Sequence, residues 1–205
     1  MRTRVRPLPL AVASAVVLAV GIGAWSPASQ ADTTPAACTT VGPSLTDFTA
    51  VLTLPKFDPA LGTLTAVTIS GSTTMRAQIR VENTSATEDT VGAAITFNSN
   101  LGLPSGQSIP TDLTYSHTET VPAFDGVLDY AGSGFDTGPV ETSEALSPVT
   151  IDATGVAPFV GPGTFDSSFS AVGRTQGFGS GNQVNRIIVE ASATVCVSYA
   201  YSVAT

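Results

Sequence analysis

The sequence predicts an all-β protein: a two-layer antiparallel β-sandwich, jelly-roll-like in its connections, placed after an N-terminal signal peptide. Three observations lead there. Apolar and polar residues alternate with a period of two through most of the chain beyond residue 44. Turn signals rich in Gly, Pro, Asn and Asp separate these stretches at similar spacing. The amphipathic helices that would connect parallel strands are missing from the pattern.

The chain begins with Arg2, Arg4 and Arg6, then an apolar run from Leu8 to Trp25, then Ser29-Gln30-Ala31. That is the charged start, apolar centre and small-residue exit of a secretory signal peptide, with cleavage expected between Ala31 and Asp32. A retained membrane anchor is the alternative reading of the same run, since it approaches the ~20 residues that a span needs. Cleavage defines three parts: a leader over residues 1–31, a linker over 32–43 and a sandwich domain over 44–205. It would also remove three arginines and no acid, leaving a chain more acidic than the −8 of the whole sequence. An acidic surface repels phosphate backbones and anionic lipid, which argues against nucleic-acid partners and against membrane insertion after cleavage.

Cys38 and Cys196 are the only cysteines, one near each end of the exported part. An even count in an oxidising compartment points to a disulfide. The alternative, a reactive thiol, finds no C-x-x-C and no neighbouring base.

Strand signals follow in order. In Phe48 to Leu54 the even positions are apolar. From Met75 to Glu82, Met75, Ala77, Ile79 and Val81 would face the core, while Arg76, Gln78, Arg80 and Glu82 would face water. Val91, Ala93, Ile95 and Phe97 repeat the pattern, and Phe165, Ser167 and Phe169 do so more weakly. The last stretch, Ile187 to Val203, keeps one apolar parity for so long that it must bend, bulge or change sheets. Cys196 lies on the opposite parity and so faces outward, suited to stapling an N-terminal segment laid across the sheet. One or two helical turns are expected around Val121 to Tyr130.

The stretch Leu54-Pro55-Lys56-Phe57-Asp58-Pro59-Ala60-Leu61-Gly62-Thr63-Leu64-Thr65-Ala66-Val67 has a direct physical reading. Pro55 ends a strand, Asp58-Pro59 starts a turn, Gly62 gives a permissive backbone, and Phe57 with Leu61 would plug the end of the sandwich. A ligand loop is the alternative. The stretch also resembles the L-P-x-F-D-P-x-L-G-T-L-x-x-V segment of the choice-of-anchor E domain family. Ala123-Phe124-Asp125-Gly126-Val127-Leu128-Asp129-Tyr130-Ala131-Gly132 is similar to that family's F-D-G-x-L-D-[FY]-x-G segment. The resemblance spans about residues 44–205. It implies an exported bacterial β-rich domain, displayed or secreted through differing C-terminal signals, with no catalytic residues to carry over. No C-terminal sorting motif is found here, so release is expected over attachment.

Chemistry is sparse. His117 is the only histidine, and no G-x-S-x-G accompanies it. No phosphate-binding loop is present. Asp125, Asp129 and Asp136 lie among Gly126, Gly132 and Gly134, and their oxygens would suit Ca²⁺, although turn formation explains the same residues without an ion. No catalytic, cofactor or metal residue is assigned on this basis. The expectation is a secreted or cell-surface, non-enzymatic domain with a structural, adhesion or matrix role, facing envelope or extracellular proteins or glycans. A glycan- or small-ligand-binding module, with or without Ca²⁺, is the alternative. A hydrolase using a carboxylate pair comes third.

Overall fold

The computed structural model describes residues 31–203. The leader expected over residues 1–31 therefore lies outside the described residues apart from Ala31, which opens the first strand. Eleven strands follow: β1 (Ala31–Thr33), β2 (Ala37–Leu45), β3 (Phe48–Pro55), β4 (Thr63–Asn83), β5 (Asp89–Gly102), β6 (Ser108–Val121), β7 (Gly134–Asp136), β8 (Val140–Ala145), β9 (Val149–Asp152), β10 (Thr164–Phe178) and β11 (Gln183–Ser202).

The pairing is nested. β5 pairs with β6, β4 with β7, β8 and β9, β3 with β10, and β2 with β11. Wrapping that long ribbon on itself sets β11 beside β4 and β10 beside β5. The result is a seven-stranded sheet packed on a four-stranded sheet of order β3-β10-β5-β6, all antiparallel. Nested pairs wrapped into two sheets are the topology of a jelly roll, so the expected fold class is the observed one.

Period-two patterning fills the space between the sheets. Met75, Ala77, Ile79 and Val81 of β4 are buried in one cluster with Val91, Ala93, Ile95 and Phe97 of β5 and with Phe165 and Phe169 of β10. β11 runs for 20 residues without leaving its sheet. It takes up its length through register shifts, against β2 between Ala191 and Ala193 and against β4 between Ala200 and Tyr201. Gly71 marks where the edge partner of β4 changes from β9 to β8. Its φ is +155°, and a Cβ there would lie 2.0 Å from the Thr194 carbonyl oxygen, so only glycine fits.

Three expectations are corrected. Residues 32–43 are not a linker: β1 and most of β2 occupy them, hydrogen-bonded along β11 as an edge of the sheet instead of lying across it. The N-terminal segment carries its own β-branched residues, Thr39, Thr40 and Val41, and pairs in register. No helix forms around Val121 to Tyr130. Pro122 and the side chains of Asp125 and Asp129 direct that backbone into turns, and the described residues contain only two short 3₁₀ turns, Pro59–Leu61 and Ala157–Phe159. Glu82, assigned by parity to the wet face, is fully buried.

Candidate functional site

The two segments singled out in the sequence sit at opposite ends of β4. The first runs into the start of the strand, where Leu64 lies across from Tyr201; the second lies near its finish, where Glu82 lies across from Gly134. They do not form one site.

At the first end, Leu54, the last residue but one of β3, is buried in the core. Pro55 follows, and its carbonyl accepts the Tyr199 hydroxyl. The 159–163 loop then pins the chain: the Lys56 N–H donates to the Gly163 carbonyl at 2.9 Å, and the Phe57 N–H donates to the Phe159 carbonyl at 2.8 Å. Phe57 is 1% exposed, with its ring 5.6 Å from that of Tyr199 and 5.4 Å from that of Tyr201. Asp58 caps the 3₁₀ turn begun by Pro59, its carboxylate accepting the Ala60 N–H at 2.9 Å. Gly62 has φ of +146°, and a Cβ there would meet the Ser202 carbonyl oxygen at 2.2 Å. Phe57 plugs the end as expected. Leu61 does not: it stays 45% exposed, because the 3₁₀ turn directs it outward.

An apolar cavity of about 200 Å³ opens beside this corner. Pro35, Ala37, Phe57, Val197 and Tyr199 wall it, with Lys56 and Asp58 contributing charge. Lys56 also borders a second hollow of about 370 Å³ formed with Pro59, Gly161 and Pro162. Burial pushes the Tyr199 hydroxyl up to about 12, so at neutral pH it is a hydrogen-bond donor and no general base.

At the other end, Glu82 is held by the loop that contains the second segment. Its carboxylate accepts the Tyr130 N–H and the Ser133 hydroxyl, each at 2.6 Å. Asn83, also fully buried, donates to the carbonyls of Thr87 and Pro122 and accepts from Ser85. Tyr130 adopts φ of +60°, which brings its N–H onto Glu82. A carboxylate this enclosed and this fully bonded positions a loop; it has no access to a substrate. Phe124 anchors the loop through its N–H to the Ser85 carbonyl. Gly126 and Gly132 take φ of +96° and +60° within it, and Val127 and Leu128 project from it, 54% and 57% exposed.

The three candidate aspartates are not gathered. Asp125 accepts the Val127 N–H and Asp129 the Ala131 N–H, both local turns. Asp136 binds the Gln78 amide at 2.7 Å, the Arg80 guanidinium at 2.8 Å and the Gly138 N–H. The Gln78 hydrogen bond, reinforced by Gly138 and Arg80, holds its carboxyl below the usual range. Among the described residues no three His, Cys, Asp or Glu side chains converge as metal ligands. His117 packs edge-on against Phe135 with ring centres 4.9 Å apart, and its Nε2 lies 3.7 Å from Glu119.

Cys38 and Cys196 are directly opposed in the β2–β11 register and form a disulfide closing 158 positions. Both side chains lie on the sheet's outer side, as the parity of Cys196 predicts. Reading the sequence missed Glu82 and Tyr199. Nothing local marks either, because their partners lie 48 and 144 positions away.

No protein-family model matches the chain, and no curated protein matches it. Among solved structures, one of the infectious bursal disease virus Gx strain aligns with 83% of this chain and 42% of that chain, at 14% identity and a TM-score of 0.13. The chain thus spans less than half the length of that viral chain, and a likeness this slight carries no argument about function.

Proposed function

We propose that this chain is an exported, non-enzymatic jelly-roll domain that acts through its surface, as a structural, adhesion or matrix component outside the cell. The observation that carries the reading is the disulfide on the outer side of the sheet, a bond that persists in oxidising compartments and is rare inside mesophilic cells. The apolar run of residues 8–25 and the small-residue exit at Ala31 support export. No helix of the described residues is long and apolar enough to cross a membrane. The likeness of residues 54–67 and 123–132 to the choice-of-anchor E domain family supports the same reading. The acidic side chains support a non-enzymatic role through what they hold: Glu82 fixes a loop, Asp58, Asp125 and Asp129 fix turns, and Asp136 pairs with Arg80.

Expression of the full chain in a secreting bacterial host tests this. The expected product is extracellular, begins at Asp32, has no free thiol and turns over no member of a polysaccharide panel. Retention inside the cell with free thiols overturns export. Turnover abolished by Asp125→Asn or Asp129→Asn overturns the non-enzymatic role.

The cavity beside Lys56 favours one further reading, a small-ligand or glycan module whose ligand would set an apolar group against Phe57 and Tyr199. A glycan array and a thermal-shift screen of small carboxylates test it. Binding lost on Lys56→Ala supports it, and silence in both removes it.

A further inference from the structure

A sandwich has edges, and an edge strand offers unpaired N–H and C=O groups to any strand that can reach it. Most edges of this molecule are guarded. β6 carries Pro110, Asp112, His117 and Glu119. β8 carries Glu141 and Glu144, while β7 and β9 are only three and four residues long. β1 has three residues, one of them Asp32. β2 is interrupted by Gly42 and Pro43 at a register shift.

β3 is different. Phe48-Thr49-Ala50-Val51-Leu52-Thr53-Leu54-Pro55 carries no charged residue, no proline before its last position and no register shift against β10. It is the outermost strand of the four-stranded sheet, and its only sheet partner among the described residues is β10. The direction of its backbone can be read off. The Lys56 N–H bonds the Gly163 carbonyl on the β10 side, and the uninterrupted antiparallel register carries that direction back through Leu54, Leu52, Ala50 and Phe48. The odd positions point the other way. The Pro55 carbonyl shows this, since it accepts the Tyr199 hydroxyl from the facing sheet. Thr49, Val51 and Thr53 therefore present their N–H and C=O groups outward, and no hydrogen bond among the described residues uses them.

We propose that the free edge of β3 is a self-association site, at which a second copy of this chain adds its own β3 antiparallel about a two-fold axis through Val51. The register is self-complementary. Val51 meets Val51, Thr49 meets Thr53, and every outward backbone group of the three residues gains a partner. β-Branched residues facing one another across strands form favourable cross-strand pairs. Val51 is 64% exposed on the outer face, so its side chain gains a neighbour there and loses nothing within its own fold. Charge points to the same partner. The chain carries 16 acidic residues against eight basic ones, so copies repel over most of their surfaces, but β3 itself is uncharged. The two-fold register also sets the Asp47 end of one strand beside the Lys56 end of the other. Lys56, the chain's sole lysine, makes no salt bridge among the described residues.

The proposal deepens the surface reading by naming a partner, and the two fail separately: export is read from the N-terminus and thiols of the product, association from its mass in solution. Sedimentation equilibrium of the exported, disulfide-bonded protein is the test, over a series reaching about 1 mM, because an interface this small holds copies together only weakly. The expected result is a concentration-dependent dimer. Val51→Lys sets like charges face to face and should weaken association at least about tenfold with an unchanged thermal midpoint. Thr53→Pro removes an outward N–H that β10 does not use and should weaken it similarly. Val172→Lys, on the same sheet but on the inner strand β10, should dimerise as the parent does. A chain that stays monomeric throughout overturns the proposal, whether or not its edge captures a foreign strand. Dimers that survive both β3 substitutions, or that Val172→Lys also abolishes, overturn it as well.

Discussion

Ser133 donates its hydroxyl to the Glu82 carboxylate across 51 positions of sequence, and both side chains are fully buried. The bond explains how an irregular loop of about ten residues, with an apolar tip at Val127 and Leu128, is held against the end of β4. The loop has little core of its own. Beside the bonds that Asn83 and Ser85 make to its flanks, it is ordered by one fully buried carboxylate that accepts a backbone N–H and a hydroxyl, where leaving either donor unpaired is costly.

Glu82→Ala is therefore expected to lower stability by about 2–4 kcal/mol, because it orphans the Tyr130 N–H and the Ser133 hydroxyl together. Glu82→Gln keeps one acceptor and should cost about half as much. Chemical denaturation measures the loss. Hydrogen exchange at the Tyr130 amide reports where it falls, and should quicken in both variants before the amides of β4 do. An Ala variant within about 0.5 kcal/mol of the parent would show that the loop is held by other means.

What could be read from the sequence divides along the same physical line. Alternation along Met75 to Val81 and along Val91 to Phe97 reports a local property, which side of a pleat a residue occupies, and the structure buries each of the apolar residues it assigns inward. The outward parity of Cys196 is of the same kind. Glu82 breaks the rule because its exposure is decided by a loop arriving from residues 130–133, and no periodicity near residue 82 carries that information. The same holds for β1 and β2, whose polar, threonine-rich sequence reads as a linker until β11 supplies the ladder. At the corner, Asp58 and Gly62 declared a turn in the sequence, but the outward direction of Leu61 depends on the 3₁₀ geometry of the turn itself.

Removal of the disulfide should be felt first at the edge of the larger sheet. Among the described residues β2 pairs only with β11 there, and the Cys38–Cys196 bond ties the two where they lie opposite each other. Replacing both cysteines by alanine is expected to cost about 2–4 kcal/mol, mainly by freeing the unfolded chain from a long closed loop. Denaturation midpoints of parent and variant measure this. Exchange at the amides of Thr39 and Val41 should rise more than exchange at those of Ile79 and Val81 in the centre.

Phe57 and Leu61 separate the two ways in which a motif residue can matter. Phe57→Ala deletes a fully buried ring from between Tyr199 and Tyr201 and should cost about 3–5 kcal/mol. Leu61→Ala trims a side chain that is already exposed and should stay within about 0.5 kcal/mol. Equal costs would mean that Leu61 buries against something in solution, such as a ligand in the adjoining cavity.

Tyr199 gives the fold an alkaline limit. Burial raises its hydroxyl from 10.0 to about 12, so the folded chain holds this proton where the unfolded chain has begun to release it. The group's contribution to stability is complete below pH 10 and declines as pH rises from there through about 12. Tyr201 acts in the same sense, its hydroxyl raised by burial and by the neighbouring Asp32 carboxylate. Denaturation midpoints followed from neutrality into the alkaline range should fall steadily beyond pH 10. Tyr199→Phe should cost about 1 kcal/mol at neutral pH, since the Pro55 carbonyl loses its donor. The same variant should flatten most of the alkaline decline and leave the smaller part that Tyr201 contributes. An unchanged decline in Tyr199→Phe would assign the alkaline limit to other groups, and would mean that the Tyr199 hydroxyl reaches water through the cavity it borders.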